Sequence, residues 1–353
     1  MRAAAQPERD IKDLTFPELA AELAEWGEPK FRTGQVFDWI YKRGAASFPE
    51  FTSLPLRLRS KLGQAFSLRT PELAEHLVSA DRAEKFLFRL ADGQFIETVL
   101  IPAGVRKTLC LSSQVGCRYG CGFCASGLGG FKRNLTPGEM TGQILFLRDR
   151  LNVALTNFVL MGMGEPLDNF DNLVRALRNM NAPEGLGIAA RRVTISTAGV
   201  IPGINRLKEL DLQFNLSLSL HAARDSLRSR LMPINRKYPL EAVLKACEGY
   251  IRAGGRMMTL EYVLLGGIND SEADARGLAA VARRLRAKVN LIPYSEFEGL
   301  ACRPTREAQQ DIFLGTLDGL RVKATVRLSK GAGIQAACGQ LAGRLRKKRP
   351  SPS

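Results

Sequence analysis

Histidine is nearly absent from this chain: 353 residues contain only His76 and His221. Both lie far in sequence from the one place where cysteines cluster, so neither stands ready to complete a metal site there. Cysteine is sparse and odd in number, at seven. Three are clustered and four stand singly, which argues against a disulfide scaffold and suits a reducing cytosol. Long apolar runs are also missing. The longest uncharged stretch, Leu151 to Gly164, is shorter than the roughly 20 residues that cross a bilayer. The opening MRAAAQPERD lacks the apolar core of a secretory signal. No internal repeat or large low-complexity tract is found. A cytoplasmic monomer without a membrane anchor is expected.

Negative charge is in short supply. Against 51 Lys and Arg stand 35 Asp and Glu, a net charge of +16, with a pI near 9.8. A surplus of that size points to a polyanionic partner, nucleic acid first; a basic surface kept for solubility remains open on composition alone. The rest is ordinary for a globular protein, 45% hydrophobic and 24% charged. The length allows one large domain and something smaller.

The first seventy or so residues read as helices. FPELAAELAEWG spaces Leu19, Leu23 and Trp26 helically and stops at Gly27. FRTGQVFDWIYKRG puts Val36, Ile40 and Tyr41 on one side and basic residues on the other, and LPLRLRSKLG is short and basic. Small helices of this kind suit an RNA-binding module, and equally a capping domain with charged solvent faces. FLFRLADGQFIETVLIP then reads as a β-hairpin about the Asp92-Gly93 turn. From TLCLSS to KATVRL, seven strand-like runs alternate with helix-length amphipathic stretches. That rhythm predicts an α/β fold with a parallel sheet and helical crossovers, a partial or complete barrel whose functional residues sit at strand C-termini. The tail GRLRKKRPSPS reads as a basic, disordered extension.

The loop after the first of these strands holds Cys117, Cys121 and Cys124 in GCRYGCGFCAS. A structural zinc site is closed by four ligands, usually two CxxC pairs, and no second pair exists. A [4Fe–4S] cluster held by three cysteines leaves one iron open for another ligand. The C-x3-C-x2-C spacing on a βα loop is the signature of radical S-adenosylmethionine (SAM) enzymes. Other strand ends offer contacts for such a cofactor. MGMGEPL supplies Gly164 and Glu165, the glycine for close backbone approach and the carboxylate for a cationic amino group. VTISTAG supplies Ser196, and LSLSLHA supplies Ser219, Leu220 and His221. Two further cysteines stand out: Cys110 in the first strand and Cys338 in the Gly/Ala-rich SKGAGIQAACGQLAG. A lone strand cysteine is most often a small buried hydrophobe; Cys247 in EAVLKACEGY is read that way, and Cys302 is left open.

Ten ordered blocks, among them TLCLSSQVGCRYGCGFCAS, GGFKRNLTPGEM, VLMGMGEPLDN, SLSLHAARD, MPINRKYPL and AACGQL, resemble the RlmN/Cfr family of radical-SAM RNA adenine methyltransferases, and RlmN more than Cfr. The resemblance implies a radical-SAM partial (βα)6 barrel with a small N-terminal helical domain. The expected divisions are a helical RNA-binding domain at 1–75, a β-hairpin linker at 76–105, the barrel with its catalytic cysteine loop at 106–338, and a tail at 339–353. It implies a [4Fe–4S] cluster on Cys117, Cys121 and Cys124. SAM contacts would come from Gly164, Glu165, Ser196, Ser219, Leu220 and His221. Cys338 would carry a transient S-methyl group, Cys110 would resolve it through a disulfide, and Glu97 in FIETVLIP would accept the ring proton. The implied reaction is methylation of adenine C2 in 23S ribosomal RNA, with transfer RNA as a second substrate and a flavodoxin-type electron donor. Cfr-type C8 methylation is the alternative within the family, and a non-catalytic zinc-containing RNA-binding protein the alternative outside it.

The chain departs from the family pattern at two places. After NLIPY it carries Ser295 where the family generally has an Asn that contacts the cofactor; the shorter hydroxyl implies adjusted binding. Before AACGQL it reads Gly333-Ile334 in place of the usual Asp-Ile, which implies a Cys338 loop that is looser or anchored differently.

Overall fold

A computed structural model describes residues 9–327 and 330–343; most of the basic tail lies outside them. Three short helices come first: α1 (Phe16–Glu25), α2 (Phe31–Phe37) and α3 (Leu56–Ala65). The Glu18 carboxylate accepts the Thr15 N–H at 2.8 Å to cap α1, and Gly27 turns the chain away at φ +76°. Leu19, Leu23, Val36, Ile40 and Tyr41 are buried together in a core separate from that of the sheet. Buried polar bonds seat this unit on the rest: Asn179 Nδ2 donates to the Leu14 carbonyl and the Tyr41 hydroxyl at 3.0 and 3.1 Å.

The main sheet has ten strands. Its antiparallel part is β1 (Glu72–Val78), β2 (Glu84–Arg89) and β3 (Phe95–Ala103), with β3 also antiparallel to β4 (Arg106–Cys110). After β4 a small hairpin, β5 (Gln114–Gly116) with β6 (Phe131–Asn134), encloses the cysteine loop. Strands β4, β7 (Asn157–Leu160), β8 (Val193–Thr197), β9 (Asn215–Ser219), β10 (Thr259–Leu264), β11 (Lys288–Pro293) and β12 (Ala324–Val326) are parallel neighbours in that order. The crossovers carry α4 (Pro137–Leu145), α5 (Phe170–Asn181), α6 (Ile201–Leu207), α7 (Asp225–Leu231) with α8 (Leu240–Arg252), α9 (Glu272–Arg284) and α10 (Glu307–Gly319). This is the radical-SAM α/β architecture with six crossovers, and β1 and β12 remain its two edges.

The Asp92-Gly93 hairpin forms as expected, with Gly93 at φ +81°. The segment 76–105 is more than a connector: β1 to β3 extend the main sheet, and β1 starts at Glu72, inside the stretch expected to be helical. The outer faces of the parallel strands pack on the helices through Leu109, Phe158, Ile195, Leu216, Leu260 and Leu291. The alternate, inner positions are polar, among them Thr108, Thr194, Ser217 and Asn290. Closed barrels fill that space with branched aliphatic side chains; here it stays open for a ligand.

Candidate active site

The cysteine loop is held by backbone. Gly116, at φ +74°, passes so close to Gly130 that an added Cβ would lie 1.8 Å from the Gly130 carbonyl oxygen. Only glycine fits there. The Gly122 N–H donates to the Leu231 carbonyl at 2.9 Å, and the Ala125 N–H to the Gly339 carbonyl at 2.6 Å. Tyr119 donates its hydroxyl to Asp168 at 2.8 Å, and Arg118 pairs with the same carboxylate. Cys117, Cys121 and Cys124 border one cavity of about 160 Å³ with Gly164, Glu165, Ser196, Ser219, His221 and Cys338. Burial pushes the Cys117 thiol up to about 12, and its cysteine neighbours' negative charge adds to the burial effect on Cys121.

The glycines of MGMGEP serve the fold as well as the cavity. An added Cβ at Gly164 would meet Gln114 Cβ at 2.5 Å, and one at Gly162 would meet the Leu111 carbonyl carbon at 2.7 Å. The β7 end therefore lies flush on the strand that leads into the cysteine loop. Glu165 is buried, and its Oε2 accepts the Ala198 N–H at 2.7 Å while Oε1 accepts the Leu167 N–H at 3.1 Å. Burial raises its carboxyl to about 7 against the pull of those bonds. The Ser196 and Ser219 hydroxyls face each other at 3.4 Å. His221 sits in the left-handed region at φ +55°, an uncommon conformation for a residue other than glycine. Its Nδ1 accepts the Val263 N–H at 3.0 Å, and its ring meets Phe123 edge to face. Burial, and then the Arg228 charge, lower this imidazole to about 3. Arg228 is wholly buried and donates to the Leu220, Ser219 and Ala198 carbonyls and to Asn235, tying the ends of β8 and β9 together.

Cys338 borders a second, smaller pocket with Cys110, Met161 and Arg327. It is the cysteine shared by both spaces. Burial, then the neighbouring Cys338, push the Cys110 thiol up to about 12, with Arg327 acting against them. The segment carrying Cys338 is pinned at several points on either side of Gly333-Ile334. The Gly331 N–H donates to Asp81, Gln340 to the Glu296 carbonyl, and Ser126 to the Leu341 carbonyl. A buried ion pair between Lys85 and Glu97, at 2.8 Å, grips both flanks. Lys85 donates to the Gln335 carbonyl at 3.1 Å, and Glu97 Oε2 accepts the Ala342 and Gly343 N–H groups at 2.6 and 3.0 Å.

The structure thus brings together nine of the residues singled out in the sequence: the three clustered cysteines, Gly164, Glu165, Ser196, Ser219, His221 and Cys338. Cys110 is reached through Cys338. Leu220 is fully buried and contributes backbone, its N–H going to the Glu261 carbonyl. Ser295 follows Tyr294, which borders the cavity, but does not border it itself, and Glu97 borders neither space. Cys302 packs against the cysteine loop, its thiol 3.5 Å from the Gly122 carbonyl. Sequence reading passed over Lys85, Met161, Glu261 and Arg327. Two of them carry one signal, alternation: Glu261 and Arg327 occupy inward positions of β10 and the end of β12, where a closed core would carry aliphatics. Among the described residues, no three His, Cys, Asp or Glu side chains converge on a single ion position. Three thiols bordering one cavity are a donor set that suits a cluster of several irons, each cysteine taking its own.

Comparison with known proteins agrees with this geometry. The radical SAM superfamily matches residues 111–278, and the ribosomal RNA large subunit methyltransferase N-terminal domain matches residues 9–68. A probable dual-specificity RNA methyltransferase RlmN of Akkermansia muciniphila is 46% identical over 346 residues, covering 96% of each chain. The dual-specificity RNA methyltransferase RlmN of Geobacter sulfurreducens is 45% identical, covering 97% of this chain and 94% of that one. A crystal structure of a radical SAM methyltransferase from Sphaerobacter thermophilus superposes with a TM-score of 0.90 at 41% identity, covering 95% of this chain and all of that one. With that fold, the N-terminal domain and the cysteine loop all in place, the chain belongs to the RlmN family of radical-SAM RNA methyltransferases.

Proposed function

We propose that this enzyme methylates C2 of an adenosine in 23S ribosomal RNA, and in transfer RNA, through an S-methyl group on Cys338. Two SAM molecules are consumed per turnover. The observation that carries the reading is the position of Cys338, which borders the cavity of the three clustered cysteines on one side and the pocket of Cys110 on the other. Cys117, Cys121 and Cys124 are the residues that would hold a [4Fe–4S] cluster. Gly164, Glu165, Ser196, Ser219 and His221 would hold SAM, with Leu220 as backbone support and Ser295 behind Tyr294. Bound there, cluster and cofactor supply an electron and the carbon radical that removes hydrogen from a methyl group.

The chain's own residues do the rest. Adenine C2 has no lone pair with which to attack a sulfonium methyl, whereas a thiolate does, so Cys338 takes the methyl first by displacement. Once its methyl carbon has bonded to the base, and the adduct has returned its odd electron to the donor system and given up the ring proton, Cys110 attacks the Cys338 sulfur. The S–S bond forms, the C–S bond breaks with its electron pair on carbon, and protonation leaves a methyl group on the base. An external dithiol then reduces the disulfide, and a flavodoxin-type donor supplies the single electrons. Cys110 must ionise to attack, and Arg327 favours that thiolate. To accept the ring proton, Glu97 must first release the Ala342 and Gly343 N–H groups that it now holds.

Nucleoside mass spectrometry after anaerobic reaction with ribosomal RNA tests the reading. New 2-methyladenosine is expected with the wild type and none with Cys338→Ala. 8-Methyladenosine instead would assign the Cfr-type reaction, full activity of Cys338→Ala would refute the mechanism, and a colourless zinc-loaded protein without iron would refute the enzyme.

A further inference from the structure

A cavity larger than both spaces at the reactive cysteines lies at the opposite end of the barrel from the cysteine loop. It occupies about 930 Å³ between the N-terminal halves of the parallel strands, large among ligand pockets, which run to about 1,000 Å³. Its charge is one-sided. Arg106, Arg192, Arg256 and Lys288 stand exposed around its mouth, and Arg327 and Lys330 lie deeper and half-buried. Among the described residues none of these six forms an ion pair. Outer-surface arginines such as Arg206, Arg276 and Arg284 do pair with carboxylates. Like charges gathered around a concavity repel one another and raise the local concentration of anions. Solubility alone would be served by the same charges spread over the convex surface.

The floor of this cavity leads toward the reactive cysteines. Met161 borders the basic cavity, the cysteine-loop cavity and the Cys110 pocket, and Arg327 borders both the first and the last. Glu261, the one carboxylate facing the cavity among the described residues, also borders the cysteine-loop space. It is buried; Oε1 accepts from Asn290 at 3.1 Å, while Oε2 makes no hydrogen bond of normal geometry, with the Ser217 hydroxyl and the Arg327 charge as its polar neighbours. A buried oxygen left without a well-formed hydrogen bond is costly unless a ligand satisfies it. The polar walls between mouth and floor, including Thr194, Ser217 and Asn290, give a nucleoside hydrogen-bonding partners along the way.

We propose that the substrate RNA strand enters from this basic mouth, its phosphodiesters on Arg106, Arg192, Arg256 and Lys288, and its target nucleoside drawn past Arg327 and Glu261 to Cys338. The proposal rests on the RNA methyltransferase reading and adds the route by which RNA reaches the site. A base taken out of its stack needs such a pocket, and the flanking phosphates need cations outside it.

The test is RNA binding by the full chain, using a labelled hairpin with an unpaired loop adenosine. Loss of two phosphate contacts lowers the slope of log K against log salt by about 1.4 for single-stranded RNA. The Arg192→Ala/Arg256→Ala variant is therefore expected to bind at least tenfold more weakly, with that flatter slope. Arg276→Ala/Arg284→Ala on the outer face of α9 is the control for total charge. A 4-thiouridine beside the loop adenosine should cross-link to the peptides around Met257 and Lys288. Unchanged affinity and slope in the mouth variant, or cross-links confined to residues 9–68, would overturn the proposal. So would a variant that loses inorganic triphosphate binding but keeps RNA, since that marks a small-anion site. Each of these outcomes is distinct from failure of the methylation assay, which refutes the activity and not the route.

Discussion

Replacing Lys85 by Met isolates the contact that holds the Cys338 segment in place. Lys85 and Glu97 expose 5% and 3% of their side chains and meet at 2.8 Å. Removing one partner of such a pair leaves an uncompensated buried charge, at a cost of about 3–5 kcal/mol. The Gln335 carbonyl also loses its donor, adding about 1 kcal/mol. The carboxylate of Glu97 keeps only the Ala342 and Gly343 N–H groups. Lys85→Met is thus expected to lose about 4–6 kcal/mol in urea unfolding. Protease should then cut more readily within 330–343. The double variant Lys85→Met/Glu97→Met removes both charges and is expected to recover most of the loss, short of about 1–3 kcal/mol for the stranded N–H groups. Methyl transfer should fall in the single variant while RNA affinity holds, because the segment carries the methylated cysteine and none of the four cations at the mouth, Arg106, Arg192, Arg256 and Lys288. A Lys85→Met protein as stable and as protease-resistant as the wild type would refute the latch.

Two other perturbations follow from the site. Burial holds the His221 imidazole at about 3, so below pH 6.5 the unfolded chain takes up a proton that the folded chain refuses. Stability therefore falls as pH drops from 6.5 toward 3, by up to about 1.4 kcal/mol per pH unit from this group. Denaturant unfolding of His221→Gln against the wild type should show a shallower acid slope; equal slopes would contradict a buried neutral ring. Gly116→Ala drives a Cβ into the Gly130 carbonyl, so the β5–β6 hairpin must open. Iron and sulfide incorporation after anaerobic reconstitution should collapse, whereas Gly93→Ala, which meets nothing within 4 Å though it shares a positive φ, should retain its cluster.

Much of the fold was legible because its signals are local. The Asp92-Gly93 turn, the helix spacing of Leu19 and Leu23, and the apolar outward residues of seven strands all declare themselves within a few neighbours. The cysteine spacing was legible for the same reason. The Gly residues of MGMGEP were seen, but their main cause was not: Gly164 avoids Gln114, a residue of another strand. The role of segment 76–105 as sheet was equally hidden, since a hairpin reads the same whether it links or extends. Lys85 gave no signal at all, being one more basic residue in a basic chain.

Sequence by itself determined the chemistry on offer: three closely spaced cysteines with no fourth, two distant ones, and a surplus of positive charge. Tertiary structure alone decided which of these meet. Cys110 and Cys338 are separated by most of the chain, and they share a pocket only because β4 and the C-terminal segment converge beside Met161. Arg106, Arg192, Arg256 and Lys288 share a mouth only because parallel strands in register bring their N-terminal ends to one side. Spacing along a chain encodes contacts over a few residues, whereas contacts over hundreds are set by how the sheet packs and twists.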